Sequence, residues 1–303
     1  MTRGLFVVEP GVLSTVQDLG RPGWGAWGVP ASGALDEEAL RLANRLVGNP
    51  PGAAALEVTL QGPVFKAVGD ALLAVVGGAF GPAPGEVMPI HDGGTLALTA
   101  GPGAVRAVVA VAGGIDVPQV LGSRSTCVSA RFGGFQGRRL QKGDVLSIGE
   151  PLGAPLPGRA NVPRPPAGDV TLRAMPGPQE DLFDPEARAA FWAAAWRVLP
   201  ESNRMGIRLR GESLGFVETS ALPSEGTAPG AVQITAEGQP IVLLAERPTT
   251  GGYPKIATVA SADLGLLART APGRIVRFER IPVDEARRLL AEREASDRAG
   301  SAR

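Results

Sequence analysis

Gln141-Lys-Gly-Asp-Val-Leu-Ser-Ile148 and Ala271-Pro-Gly-Arg-Ile-Val-Arg-Phe278 follow one plan, a glycine turn and then a closing strand. Glycine takes turn conformations at no steric cost, and the β-branched run after it suits a strand. Each half of the chain also places one helix early. The echo predicts a duplicated, strand-rich module. Helix–strand alternation of the parallel-sheet kind is missing, which disfavours a doubly wound fold. The pattern predicts a mainly β chain of two packed barrels with a few short helices.

Composition agrees. The 303 residues carry 30 basic and 30 acidic side chains, so nothing points to nucleic acid or a membrane surface as partner. The 42 glycines and 28 prolines are spread among apolar runs, as in short strands joined by tight turns. The one cysteine, Cys127, rules out an intrachain disulfide. The N-terminus reads as too short and weakly apolar for a secretory leader, and no run reaches the ~18 apolar residues of a membrane span. A cytoplasmic protein is expected. The one histidine, His91, lies in a turn-like Met-Pro-Ile-His-Asp-Gly-Gly context. A Ser-His-Asp triad would need it, a His-rich metal site cannot exist, and no metal ligand set is predicted.

Along the chain, residues 1–150 read as a first barrel, with strands at Gly4–Glu9, through Leu56–Gly78 (broken at Gly62-Pro63 and Gly69-Asp70), Thr95–Ala100, Val105–Ala112 and Asp144–Ile148. Pro10–Pro30 reads as a long loop, which in a compact domain is usually functional. Asp36–Val47 reads as a helix capped by Asp36, with Leu40, Ala43 and Val47 on its apolar stripe. Residues 151–168 are proline-rich and read as a semi-rigid linker. Residues 169–282 read as a second barrel, with strands at Asp169–Met175, Ala231–Ile234, Pro240–Ala245 and Arg274–Ile281. Its helices are expected at Asp184–Leu199, capped by Asp184, and at Ser261–Arg269, capped by Ser261. Residues 283–303 read as a charged helix to Arg293 and a frayed tail from Glu294.

The chemistry concentrates in Arg247-Pro-Thr-Thr-Gly-Gly-Tyr-Pro-Lys255. Gly251 and Gly252 let backbone amides approach a ligand, Thr249 and Thr250 add hydroxyls, Lys255 adds a compact charge, and Tyr253 is the one tyrosine. This set suits a carboxylate, phosphate or oxyanion. It also fits a glycine turn whose threonines cap their own backbone. Gln17, Asp18 and Arg21 place an amide, a carboxylate and a guanidinium close together, either as site or as loop stiffener. Leu121-Gly-Ser-Arg-Ser-Thr126 offers Ser125 and Thr126 to an anion or to a turn. Glu201–Arg210 carries Arg204, Arg208 and Arg210. No P-loop, Cys-x-x-Cys or Met-Lys-Met biotin site is present, and no dinucleotide fingerprint set between a strand and a helix.

Five motifs occur in order: Gln17-Asp-Leu-Gly-Arg-Pro-Gly23, Gly33-x-x-Asp36 with Leu42-Ala-Asn-Arg-Leu-Val-Gly-Asn49, Leu121-Gly-Ser-Arg-Ser-Thr126, Arg204-Met-Gly-x-Arg-Leu209 and Thr249-Thr-Gly-Gly-Tyr-Pro-Lys255. Together they resemble the KipA-like family, also called the biotin-dependent carboxyltransferase or allophanate hydrolase subunit 2 family, over roughly residues 5 to 282. The sequence departs from it at Glu246, Pro248, Asn203 and in the Ile-Thr-Ala after Gln233. The resemblance implies two cyclophilin-like β-barrels. The family's best-understood role is as the C subunit of bacterial ATP-dependent 5-oxoprolinase, working with a KipI-like B subunit and a LamB/YcsF-like A subunit. Alternatives are the carboxyltransferase part of a biotin-dependent urea or amide carboxylase, and a regulator that binds a KipI-like partner.

The resemblance implies a lactam or amide substrate, ATP and Mg2+ shared with the partner, and no covalent biotin on this chain. On residue type and motif, Lys255, Arg204, Asp18, Arg21 and Tyr253 are the catalytic candidates. Gln17, Ser125, Thr126, Gln233, Thr249, Thr250, Gly251 and Gly252 are the binding candidates.

Overall fold

A computed structural model describes residues 3–215 and 222–299. It divides into two compact units, Met1–Pro22 with Ser32–Pro165, and Gly23–Ala31 with Pro166–Arg303.

The first unit holds strands β1 (Gly4–Glu9), β2 (Leu13–Gln17), β3 (Ala55–Thr59), β4 (Val64–Val68), β5 (Ala71–Val76), β6 (Val87–Ile90), β7 (Thr95–Ala97), β8 (Arg106–Val111) and β9 (Val145–Ser147), with helix α1 (Glu37–Leu46). They form two sheets, ordered β7-β4-β1-β9 and β2-β3-β8-β5-β6. Leu5, Val7, Phe65 and Leu146 of the first sheet share one core with Leu56, Val58, Leu73, Val75 and Val109 of the second. Leu40, Ala43 and Leu46 of α1, with its C-cap Val47, cover the other face of the second sheet, against Ala74, Val76, Val108 and Ala110. This is why β8 is buried along its whole length and reads as a continuous apolar run rather than an alternation. Asp36 caps α1, accepting a hydrogen bond from the Ala39 amide at 3.1 Å.

The second unit holds β10 (Val170–Pro176), helix α2 (Pro185–Ala193), β11 (Trp196–Val198), β12 (Gly206–Arg210), β13 (Glu225–Gly226), β14 (Ala231–Ile234), β15 (Pro240–Leu243), β16 (Thr250–Gly251), β17 (Lys255–Val259), helix α3 (Leu264–Ala268), β18 (Ile275–Arg280) and helix α4 (Val283–Ala299). Seven strands close a barrel in the order β10-β17-β14-β15-β12-β11-β18, and β13 and β16 form a separate two-stranded ribbon. The mainly β reading with few helices is borne out. The echoed glycine turns both lead into strands, β9 and β18, but β9 runs antiparallel to β1 whereas β18 runs parallel to β10 and closes the barrel.

Several local readings are corrected. Pro10–Pro30 is not one loop. It contains β2, whose ladder to β3 supplies the order that its turn-forming residues conceal, and a 3-10 turn at Gly25–Trp27. The helix begun at Asp184 stops at Ala193, and Trp196 and Leu199 are not on it. Trp196 is fully buried in β11 with its indole N–H on the Phe191 carbonyl, so burial overrides the helix propensity of the alanines before it. Ser261 begins a 3-10 turn and caps nothing with its side chain. Helix α4 continues through the predicted frayed tail to Ala299. Strands β6, β11, β12, β13, β16 and β17 have no counterpart among the expected strands.

Candidate anion-binding site

The Arg247–Lys255 segment runs from the end of β15 to the start of β17, and its middle is strand β16. Ribbon strand β13 pairs with it, Glu225 opposite Gly251 and Gly226 opposite Thr250. The Thr227 amide extends the pairing to the Thr249 carbonyl at 3.0 Å. Beneath this ribbon the β14–β17 register shifts by one residue, so that Val232 faces Ala257 but Gln233 faces Lys255. A bulge of this kind re-aims a side chain. Gln233 and Lys255 are both buried, and a Cβ on Gly251 would come within 2.8 Å of the Gln233 side-chain amide. A side chain at 251 would therefore displace the Gln233 amide from this approach of ribbon to barrel.

The Lys255 ammonium is buried, and its Nζ donates to Glu225 Oε1 at 2.5 Å. Gln179 Nε2 donates to the same oxygen at 2.5 Å, while Gln179 Oε1 accepts from the Lys255 amide at 3.1 Å. The hydrogen bond from Lys255, then that from Gln179, holds the Glu225 carboxyl below the usual glutamate range. Two donors thus converge on one carboxylate oxygen at the mouth of a buried lysine. Arg247 is half-buried, donates to the carbonyls of Thr227 and Leu244, and has its pKa lowered by desolvation. Thr250, Gly252 and Tyr253 are exposed, and the Tyr253 carbonyl accepts from Gln233 Nε2 at 3.5 Å. The arrangement presents a buried ammonium and an amide to one carboxylate oxygen at a solvent-facing ribbon.

Arg204 is placed elsewhere in the same unit. Its carbonyl accepts from the Glu246 amide, beyond the last β12–β15 pair at Gly206 and Leu243, whereas Lys255 sits at the level of Gln233 and Ile241. At ~3.3 Å per residue that separates the two cations by roughly 10–15 Å along the strands. Arg204 Nε donates to Glu246 Oε1 at 2.6 Å, and both side chains are buried.

The first unit gathers the remaining candidates. Asp18 Oδ1 accepts from the Gly20 amide, Ser123 Oγ and Ser125 Oγ, and Oδ2 accepts from the Arg124 amide, all within 2.7 Å. Arg21 is buried, donates to the carbonyls of Val120 and Ser125, and stacks over Phe132 at 4.8 Å. Gln17 bridges the Gly33 amide, Thr15 and the Thr126 carbonyl, and Thr126 Oγ1 donates to the Val16 carbonyl. Gln17, Asp18, Arg21, Ser125 and Thr126 are thus brought together, in a web that ties the 120–126 turn to the end of β2. Sequence reasoning missed Glu225 and Gln179. Neither lies in a patterned motif, and only strand pairing brings them to Lys255.

Residues 27–280 match the carboxyltransferase domain family, subdomains A and B. The chain is 39% identical to the 5-oxoprolinase C subunit of Escherichia coli (strain K12), covering 93% of each protein. It is 35% identical to the 5-oxoprolinase C subunit of Haemophilus influenzae, covering 93% of this chain and 92% of that one. The crystal structure of the K. lactis urea amidolyase superposes with a TM-score of 0.88 at 31% identity, covering 97% of this chain but 20% of that much longer one. Motif order, barrel architecture and end-to-end correspondence agree: this chain belongs to the carboxyltransferase-domain family, the group that its five motifs resemble.

Proposed function

We propose that the chain is the C subunit of an ATP-dependent 5-oxoprolinase, acting with A and B subunits to open 5-oxo-L-proline to L-glutamate. The observation that carries this reading is the end-to-end match to two proteins named as the C subunit of 5-oxoprolinase, with 93% and 92% of their lengths covered. Urea amidolyase, by contrast, contains the fold as a fifth of its length. Lactam opening is difficult because the amide is resonance-stabilised. ATP would supply the phosphoryl group that makes the amide carbon electrophilic. In this chain Lys255 and Gln179 would hold an anionic oxygen of the substrate, and the Thr249–Gly252 segment would border it with hydroxyls and amides.

Mg2+ shared with the partner would take ligands from the partner and the nucleotide as well as from the described residues. No group of three or more His, Cys, Asp or Glu side chains gathers among them, and the Asp18 oxygens already accept four hydrogen bonds. No step is therefore assigned to a metal held by this chain. A KipI-like B subunit is the expected partner.

Co-expression with a neighbouring B-like gene, followed by assay of glutamate release with ATP and the A subunit, tests the reading. Lys255→Ala should lower turnover at least ~100-fold, as loss of a charge-stabilising donor does. Lys255 is a cleaner probe than Arg204, whose removal would strand the buried Glu246. Wild-type turnover in Lys255→Ala would remove Lys255 from the mechanism. The urea amidolyase superposition favours a second reading, a carboxyltransferase acting on a urea-like amide from a partner's carboxybiotin. ATP- and bicarbonate-dependent carboxylation of urea with a biotinylated partner, without glutamate release, would select it.

A further inference from the structure

We infer that Glu225 is a resident carboxylate on a seat built for a ligand, and that a small carboxylate replaces it on Lys255 and Gln179. The inference deepens the proposed function and rests on it for the identity of the natural ligand.

Residue choice is the first argument. Of the 30 basic residues only three are lysines, Lys66, Lys142 and Lys255. Lys66 and Lys142 are exposed, and the Lys255 side chain is 6% exposed. Elsewhere this chain builds its buried ion pairs from arginine, as in Arg204–Glu246 and Arg106–Glu57. Arginine's planar fork locks a carboxylate in one geometry, whereas an ammonium is a point charge that accepts different oxygens in turn. A lysine at the buried position suits exchange.

The partner is the second argument. The cation is buried but Glu225 is 48% exposed, so the carboxylate can leave into water without being stranded. Among the described residues its two-residue strand pairs with β16 alone. A ribbon that short is drawn from the low-stability end of a fold. A Cβ on Gly226 would meet nothing within 4 Å among the described residues, so the ribbon face opposite the Glu225 side chain is not packed down.

Gln179 is fixed by the Lys255 backbone in both directions, its amide on the Lys255 carbonyl at 3.3 Å and its side-chain oxygen on the Lys255 amide at 3.1 Å. Gln179 Nε2 therefore keeps its position, and beside the Lys255 ammonium it presents itself to an incoming carboxylate. Glu225 is a positioning residue: it holds the donors charge-balanced until the ligand takes its place.

The test labels the full chain with an amine-directed acylating reagent and reads each lysine by peptide mass spectrometry, with acetate and 5-oxoproline as probes. Lys66 and Lys142, both exposed, report that the reagent is equally active in every sample, and circular dichroism reports that the fold is intact. If Glu225 occupies the seat about nine-tenths of the time, Glu225→Ala should label Lys255 roughly tenfold faster. Glu225→Gln, which keeps a hydrogen-bonding side chain, should be intermediate and carries the test if the alanine variant fails to fold. Acetate should slow Lys255 labelling in both variants and leave Lys66 and Lys142 unchanged. Equal Lys255 rates in wild type and the variants, or no protection by acetate, would overturn the inference whatever the enzyme's reaction. Protection by acetate but not by 5-oxoproline would leave the seat standing and count against 5-oxoproline as its ligand.

Discussion

Asp18→Asn separates a catalytic carboxylate from a scaffolding one. The substitution keeps shape and removes charge. Asp18 Oδ1 accepts from the Gly20 amide (2.7 Å), Ser123 Oγ (2.6 Å) and Ser125 Oγ (2.5 Å), and Oδ2 accepts from the Arg124 amide at 2.6 Å. With the asparagine oxygen on the three-donor side, those bonds fall from charge-assisted to neutral at about 1 kcal/mol each, and the Arg124 N–H faces another N–H at about 1–3 kcal/mol. Shared partners make such terms less than additive, so the expected loss is about 3–5 kcal/mol. For a unit of this size that corresponds to a melting temperature lower by about 6–20 °C. Differential scanning calorimetry measures it, with turnover of the assembled complex measured well below the melting transition. An unchanged melting temperature with abolished turnover would refute the scaffolding argument and return Asp18 to the chemistry.

Two further predictions follow from the geometry. Glu246→Gln leaves the Arg204 guanidinium, whose side chain is 4% exposed, without its carboxylate; it should cost about 3–5 kcal/mol in denaturant unfolding, with the double variant Arg204→Met/Glu246→Leu recovering most of that, and a loss under about 1 kcal/mol would contradict it. Hydrogen bonds from Arg138, with the Gln141 amide adding to them, hold the Asp144 carboxyl below its ordinary range. Because the folded value is depressed, this contribution is complete above the unfolded value of about 3.9 and disappears as pH falls through the lower folded one. Asp144→Asn should therefore flatten the acid limb of stability against pH below about 4, and an identical limb in both proteins would count against the pair.

Part of this molecule was legible before any coordinates. Strands β1, β3, β4, β5, β14, β15 and β18 were marked by apolar runs broken at glycine or proline, and the caps Asp36 and Asp184 by their place before a helix. These signals are local, so they survive in one dimension. Strand β2 and the switch from α2 to β11 were hidden. Their conformation is set by a ladder partner or by burial of Trp196, not by their own propensities.

The candidate site divides in the same way. Residue types alone determined that Thr249 to Lys255 is suited to negative charge, since glycine, hydroxyl and ammonium carry that chemistry wherever they fold. Only the tertiary structure decided which carboxylate Lys255 holds, that Arg204 belongs to Glu246, and that Asp18 is saturated by the 123–125 turn. Those pairings join residues 30, 42 and about 105 positions apart. Strand register and a one-residue bulge set them, and neither is written in the local sequence.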